Sequence, residues 1–595
     1  MNIKTSVQKS VDIFMLFSFV SMLLCAISSG GFLWYNCIIS SAILLFLLIW
    51  NLKNLYCSIN DFFLLGLLAL GIISVLTTEA DKQTVVYEFE KIICLVLAVG
   101  IGRLLKKERV VNMIILLAVI TALCGILAYC NILHINGWFF NDRGVNRLQS
   151  FIQYANTTAV VLGMGYFLSL DKIRDDKRIL GVSGVILIAF YLTLSKAAIP
   201  VFIFVGSILI MKAKQYAAQF IRQNVLCILM SIPIIWTCNR HMYILGLLLI
   251  VLTIFLNVKV IGMFIDKKWI HVWLSMIVLL IIIGFAATLI YRNTLLSTLI
   301  KRVDYMKDAV KLLKEHWVWG IGPGAWDEYQ YMIQSTQYSV KYVHNSFLQF
   351  LLDYGIFFFV ILVALFINVI YSVKKTRNYV VMAALAILLL HALIDFDFSF
   401  GIVLTIVGLI IGGCCEDENG FLPSARIVVI INLFICCLLI IYMSMEYIVR
   451  YNFEQSIITN EYEEARINAM LLEKLCPYDS KLQITLADLN VGDSQSRYER
   501  AIKTAPNNKE ILGSYIIFSV KNDDNDILQL CKAYIELAPK QEKTYMNASQ
   551  YIKDAFKEGR CTVEQYNIFC QYIADKMKEE DVVNRNELLE QIIAN

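Results

Sequence analysis

Charge is scarce in this sequence. Of its 595 residues only 17% are charged, while 58% are hydrophobic. A soluble globular chain of this length carries more charge and less apolar surface, so that class is excluded. The net charge of +4 is too small to argue for nucleic acid. Histidine is also rare, with six in the whole chain. A phosphate-binding glycine loop and a Cys/His zinc spacing are missing, and no D-x-D pair reads as the metal-dependent sugar-nucleotide type. Neither a metal nor a cofactor is therefore expected. The sixteen cysteines show no disulfide framework: Cys25, Cys94, Cys227, Cys436 and Cys437 lie in apolar runs, where they act as small hydrophobes. Cys476, Cys531, Cys561 and Cys570 sit in a polar tail at no recognisable spacing. The first apolar run, 11–27, has no small-residue cleavage site before the next begins at Phe32, so it reads as a retained helix.

What is present is a series of apolar runs of about 18 residues or more, the mark of an integral membrane protein. Fifteen candidate helices have cores at 11–27, 32–50, 60–77, 86–102, 110–130, 152–170, 179–195, 197–211, 223–238, 242–258, 270–290, 347–372, 379–396, 398–415 and 427–446. The fourth carries Glu88, Glu90 and Lys91 near its start, and the fourteenth follows closely enough to be a partial span. The expected fold is all-α: a polytopic bundle of about 12–15 transmembrane helices over residues 1–450, in the cytoplasmic (inner) membrane.

Loop charge orients the bundle. With the N-terminus in the cytoplasm, 21 lysines and arginines fall in inside loops. The short outside loops hold only Lys82, Arg143, Arg147, Lys196 and Arg240. That asymmetry follows the positive-inside rule, and an odd span count puts the C-terminus outside. Three segments then face outward: 131–151, the turn at Ser195-Lys196, and a long loop, 291–346. Within that loop, 300–315 reads as an amphipathic helix with Val303, Met306, Val310 and Leu313 on one stripe, expected to lie along the membrane surface.

The composition changes after Glu446. Residues 451–595 are polar and helical in pattern, with Pro477, Pro506 and Pro539 spaced 29 and then 33 residues apart. Each follows Ala or Cys and precedes a fresh helical pattern. The period resembles tetratricopeptide repeats, with a plain helical bundle as the alternative. Stacked repeats form concave surfaces, so a protein partner is expected there.

Among the histidines, His344 stands out. It falls in the stretch from Gly320 to Gly355, which reads GIGPGAWDEYQYMIQSTQYSVKYVHNSFLQFLLDYG. A glycine turn, a polar tyrosine-rich spacer, and His344, Asn345 and Ser346 at the mouth of an apolar helix place a base and an amide at the water end of a span. A second histidine, His391, lies in LLLHALIDFDFSFG with Asp395 and Asp397. Ionisable residues at membrane depth are costly and point to function. Spacing of four places His391 and Asp395 on one helix face, within reach of each other.

G-x-G-P-G, a spacer, H-N-S-F-L-Q and D-Y-G together resemble the signature of the O-antigen ligase and polymerase superfamily. These polytopic enzymes move glycans from a polyprenyl diphosphate lipid. The resemblance implies that His344 is the catalytic base, with Asn345 orienting it or a sugar hydroxyl. It extends to Arg147, Ser150 and Asn156, similar to the family's R-x-x-G/S-x-x-x-x-x-N element, and to Arg302, which opens a helix before the glycine turn. Ser195-Lys196 stands where the family often has Ser-Arg; lysine keeps the charge and loses the fork. His391 and Asp395 are similar to an H-x-x-x-D element. By this resemblance Arg302, Arg147 and Lys196 would bind the diphosphate, and Asn345, Asn156, His391 and Asp395 would support the site. Each cation would otherwise anchor a helix end to lipid phosphate.

The implied reaction is inverting, metal-independent glycan transfer from a polyprenyl diphosphate donor to a hydroxyl acceptor on a glycan, lipid or protein. A ligase and a repeat-unit polymerase share the signature. A lipid-glycan flippase is the rival among transporters, though no inverted repeat is apparent. A membrane-anchored scaffold acting through its tail is a third class, and it gives His344 no role.

Overall fold

The computed structural model describes residues 2–142, 144–261, 294–415, 425–522, 526–582 and 585–594. The expected span 270–290, His271 and Arg143 lie outside the described residues. The chain is almost wholly helical, as the apolar patterning implies. The apolar helices are α1 (Asn2–Ile27), α2 (Tyr35–Trp50), α3 (Ile59–Thr77), α4 (Lys82–Tyr129), α5 (Ala155–Asp175), α6 (Ile179–Leu192), α7 (Ala198–Lys212), α8 (Ala217–Asn239) and α9 (Tyr243–Leu256). After α10 (Thr294–His316) and the short α11 (Trp326–Ile333) come α12 (Ser346–Lys375), α13 (Tyr379–His391), α14 (Gly401–Cys414) and α15 (Arg426–Ile458). Eight further helices, α16 to α23, occupy Tyr462–Ala594.

Among the described residues, five segments are long and apolar enough to cross a membrane: Ile59–Thr77, Lys82–Tyr129, Lys214–Asn239, Ser346–Lys375 and Arg426–Ile458. Shorter apolar helices occupy the other described runs, except 152–170, where α5 has 21 residues. The expected cores 86–102 and 110–130 form one element, α4, broken by Lys106 at φ 64°. The break falls in a basic run, Arg103 to Arg109, that neither apolar half extends through. One departure from an all-α chain appears. Residues 131–151, expected as a plain loop, contain an antiparallel hairpin of β1 (Phe139–Asp142) and β2 (Val145–Leu148), with Phe140 opposite Arg147.

The chain forms two compact units, and neither is continuous in sequence. The first holds residues 1–68, 90–300 and 361–440. In it α5 packs on α6 and α13, α8 on α9, and α1 on α2. Small residues let α14 approach α4 backbone to backbone: a Cβ at Gly412 would overlap the carbonyl oxygen of Val99. Arg103 and Asp61 form an ion pair of 2.9 Å that is almost fully buried, and Arg103 also donates to Ser58 Oγ at 2.6 Å. Pairing of this kind is what makes buried charge tolerable.

The second unit holds residues 69–89, 301–360 and 441–595. The loop after α3, the α10–α11 region and the C-terminal helices are hydrogen-bonded together in it. Thr78 Oγ1 donates to Ile321 O at 2.7 Å. Asp81 accepts from Ser480 N and Oγ at 3.2 and 3.0 Å. Asn508 Nδ2 donates to Glu328 Oε1 at 3.3 Å, and Gln541 Nε2 to Tyr338 O at 3.3 Å. Within the tail, sequence neighbours pack on each other: α17 (Ser480–Asp488) on α18 (Ser494–Thr504), and α20 (Ile527–Glu536) on α21 (Glu542–Lys557). Pro477, Pro506 and Pro539 each precede a new helix by three residues. Asp479, Asp493, Asp526 and Thr562 cap their helices through side-chain oxygens.

α10 is the amphipathic helix expected at 300–315. Of the expected stripe, Val303 and Val310 are 46% and 43% exposed, whereas Met306 and Leu313 are half-buried and pack against the core of the unit. A different face, Tyr305, Asp308, Ala309 and Leu312, is buried in the unit. Residues from 78–81, 301–346 and 451–595 are hydrogen-bonded together within the second unit, so these three segments are expected on the same side of a membrane. Single cysteines replacing Thr336 and Glu558, both exposed, in a background without reactive cysteines should therefore label with an impermeant thiol reagent from the same side. Labelling from opposite sides would break this grouping.

Candidate active site

The glycine turn and the D-Y-G sequence interlock. α12 is interrupted at Gly355, where φ is 78° and ψ −176°. A break of this kind frees helix carbonyls and amides that must find other partners. Leu352 O accepts from Ile321 N at 2.8 Å and Asp353 O from Gly322 N at 3.0 Å, while Ile356 N donates to Trp317 O at 2.9 Å. Ser74 Oγ adds a bond to Asp353 O at 3.2 Å. The two backbones are so close that side chains are excluded. A Cβ at Gly320 would lie 2.5 Å from Asp353 O, and one at Gly355 would overlap Val318 O.

This clasp sets the start of α12, where His344 sits. Val343 N donates to Gln349 Oε1 at 2.7 Å, and Gln349 Nε2 donates to Asp353 Oδ1 at 2.8 Å. Asn345 Oδ1 accepts from Phe347 N and Leu348 N at 3.1 and 3.0 Å, so its side chain caps α12. The residues on either side of His344 are thus tied to the helix. His344 is half-buried, with its ring 5.8 Å from that of Tyr305. Tyr305 lies three residues after Arg302, on the same side of α10. Burial raises the Tyr305 hydroxyl pKa, and the charge of Arg302 opposes the rise. His344 and Arg302 therefore both bear on Tyr305, a residue that the linear motif does not flag. The segment after α11 is held to α10 by Asp308, which is fully buried and accepts from Ser335 N, Ser335 Oγ and Tyr338 OH at 2.7, 3.0 and 2.9 Å.

In the first unit, Asn156 is the centre of a second polar network. Its Oδ1 accepts from Arg147 Nη2 at 3.0 Å and from Ser195 Oγ at 2.9 Å. Its Nδ2 donates to Asp395 Oδ2 at 2.7 Å and to Tyr154 OH at 3.2 Å. Arg147 Nε also donates to Thr193 O at 3.0 Å, which fixes the plane of its guanidinium. The β hairpin delivers Arg147 to this point, and α5 starts at the residue before Asn156. Lys196 is half-buried next to Ser195 and has no ion-pair partner among the described residues. The expected partner of His391 is Asp395, four residues on. α13 ends at His391, so the i,i+4 helical geometry stops there. His391 Nδ1 instead lies 2.6 Å from Asp397 Oδ2, whose other oxygen accepts from Thr157 Oγ1 at 2.9 Å. Asp395 turns to Asn156 and to Tyr154 OH, the latter at 3.0 Å.

Each unit thus gathers its own sequence-predicted residues: Arg302, His344 and Asn345 in one, and Arg147, Asn156, Lys196, His391 and Asp395 in the other. Among the described residues no cluster of three or more His, Cys, Asp or Glu side chains is placed to hold a metal ion. Residues 225–363 match the family model described as O-Antigen ligase. The match supports the O-antigen ligase superfamily for this chain. It runs from within α8 across α10, the glycine turn and His344 to just beyond Gly355, about a quarter of the chain. No curated protein matches the chain, and no solved structure does. The O-antigen ligase match agrees with a glycan ligase or transferase type, a lipid-linked donor, and a multi-pass protein of the inner membrane.

Two predictions follow from these contacts. Gly355→Ala combines a left-handed φ with overlap of a backbone carbonyl, and should destabilise the second unit by roughly 2 kcal/mol or more. A thermal unfolding scan of the purified protein checks it; an unchanged midpoint would mean that the clasp is slack. Glu328 is the second case. Burial, with Asp81 close by, pushes its carboxyl up to about 7. The raised folded value means that ionisation opposes folding. The cost is absent below the ordinary carboxylate range, grows as pH rises toward 7, and is complete above it. Glu328→Gln keeps the acceptor for Asn508 and should stabilise the unit by on the order of 2 kcal/mol near pH 8, with the gain vanishing near pH 4.5. Parallel melting curves across that range test the sign.

Proposed function

We propose that this protein is an O-antigen ligase-like glycosyltransferase, moving a glycan from a polyprenyl diphosphate carrier to an acceptor hydroxyl on the outer face of the cytoplasmic membrane. The observation that carries the reading is the placement of His344: its flanking residues are tied to α12 by Gln349 and Asn345, and its ring lies against Tyr305, one turn from Arg302. This is the region that the family match covers.

In this reading His344 takes the acceptor proton as the hydroxyl oxygen attacks the anomeric carbon. A hydroxyl is a poor nucleophile until a base relieves it of that proton, and imidazole does so near neutral pH. The bond from the anomeric carbon to the diphosphate oxygen breaks, and its electron pair stays on the leaving diphosphate. A single displacement inverts the anomeric centre. The growing negative charge calls for cations: in the second unit Arg302 offers a guanidinium fork that engages phosphate oxygens in pairs, and in the first unit Arg147 offers a fork and Lys196 a point charge. Asn156 holds the fork of Arg147 in place, and Asp395, joined to Asn156, steadies it. Asn345 acts through the helix cap, and the His391–Asp397 pair holds the turn after α13. The tail, on the same side as His344, recruits the acceptor or a protein partner through tetratricopeptide-like repeats. A lipid-linked polymerase would use the same residues.

His344→Ala should lower turnover by roughly a hundredfold to ten-thousandfold while leaving donor binding intact. Arg302→Lys keeps the charge and loses the fork, so it should weaken binding of the lipid-linked donor. Glycan transfer by purified variants in lipid vesicles measures both. Parental turnover in His344→Ala would remove the base assignment.

A further inference from the structure

An open cavity of about 320 Å³ lies in the second unit beside the glycine turn, at the C-terminal end of α10. Its floor is formed by Thr78, Ile321 and Tyr329, and its rim by Glu79, Glu315, His316 and Trp319. Glu79, Glu315 and Trp319 are exposed, while Thr78, Ile321 and Tyr329 are buried. The His316 and Tyr329 rings meet edge to face at 6.0 Å, and the Trp319 indole is braced by Phe357 at 5.7 Å. Burial pushes the Tyr329 hydroxyl up to about 12, with Glu79 and Glu328 adding to the rise. Neither Glu79 nor Glu315 has an ion-pair partner among the described residues.

We propose that this cavity is a saccharide-binding subsite for an uncharged part of the glycan, separate from the place that holds the diphosphate. The proposal rests on the transferase reading and deepens it. Two rim carboxylates with no cation between them repel phosphate. They accept strong hydrogen bonds from the hydroxyls of a neutral sugar. A braced, exposed indole offers its face to the C–H side of a sugar ring, a rigid contact with little entropy to lose. The subsite is also placed along the path of a chain: His316 is about three turns of α10, roughly 16 Å, beyond Tyr305, which touches His344. An oligosaccharide whose reacting end is at His344 can extend along α10 and seat a later residue here.

The test is binding without turnover. The full-length protein, in a detergent without a sugar headgroup, is mixed with chitotriose, cellotriose and maltotriose, and contact is read by saturation-transfer NMR. The expected result is a signal from at least one trisaccharide in the parent and in His344→Ala. It should fall roughly tenfold in Trp319→Ala and in the Glu79→Gln/Glu315→Gln pair, and persist in Trp319→Phe. No signal from any of the three, or equal signals in the parent and the rim variants, overturns the subsite. Because His344→Ala separates binding from transfer, failure of the subsite and failure of the base assignment give different results.

Discussion

The contact on which the candidate site depends is between two stretches of bare backbone. The turn at Val318 to Gly322 lies against Leu352 to Ile356, where α12 is broken, and three main-chain hydrogen bonds cross the gap. Only glycine satisfies both demands at Gly355, a left-handed φ and no side chain facing Val318 O. The clasp leaves Asp353 where Gln349 reaches it, and Gln349 in turn holds Val343. His344 is therefore positioned through a relay that starts at the glycine turn. The string G-x-G-P-G, H-N-S-F-L-Q and D-Y-G is one mechanical object, in which the glycines supply closeness and the amides transmit it.

The same economy appears around Asn156. One side chain amide holds an arginine, a serine hydroxyl, a tyrosine hydroxyl and a carboxylate. A buried network of this kind is stable only while every member is satisfied, so its geometry is stiff. Arg147 presented from such a frame loses little conformational freedom when it meets an anion. The hairpin that carries Arg147 adds to the stiffness, because strand pairing removes the backbone freedom that a loop would keep.

The grouping of the tail with residues 69–89 and 301–360 gives these polar parts of the chain a single body. Its seams are polar and several are anionic: the charge of Asp479 raises the cost of ionising Asp81, and that of Asp81 raises the cost of ionising Glu328. Tail and loop are consequently joined by contacts sensitive to pH, whereas the apolar cores within each are not.

Much of this was legible in the chain alone. Apolar runs and the polar breaks between them set where helices form, since burying twenty apolar residues needs no distant partner. The prolines at 477, 506 and 539 marked helix starts because ring geometry is local. His344, Arg302 and Gly320 stood out because residue type and spacing carried them. The choice of partner was not legible. Nothing in LLLHALIDFDFSFG says that His391 takes Asp397 and leaves Asp395 to Asn156; that depends on where α13 stops and what α5 brings beside it. Asn345 as a cap, Tyr305 as the ring beside His344 and near Arg302, and the hairpin before Arg147 are of the same kind. Apolar periodicity is a property of neighbours in sequence, and it determined the helices. Hydrogen-bond partners and ring contacts are properties of neighbours in space, and only the tertiary structure decided them.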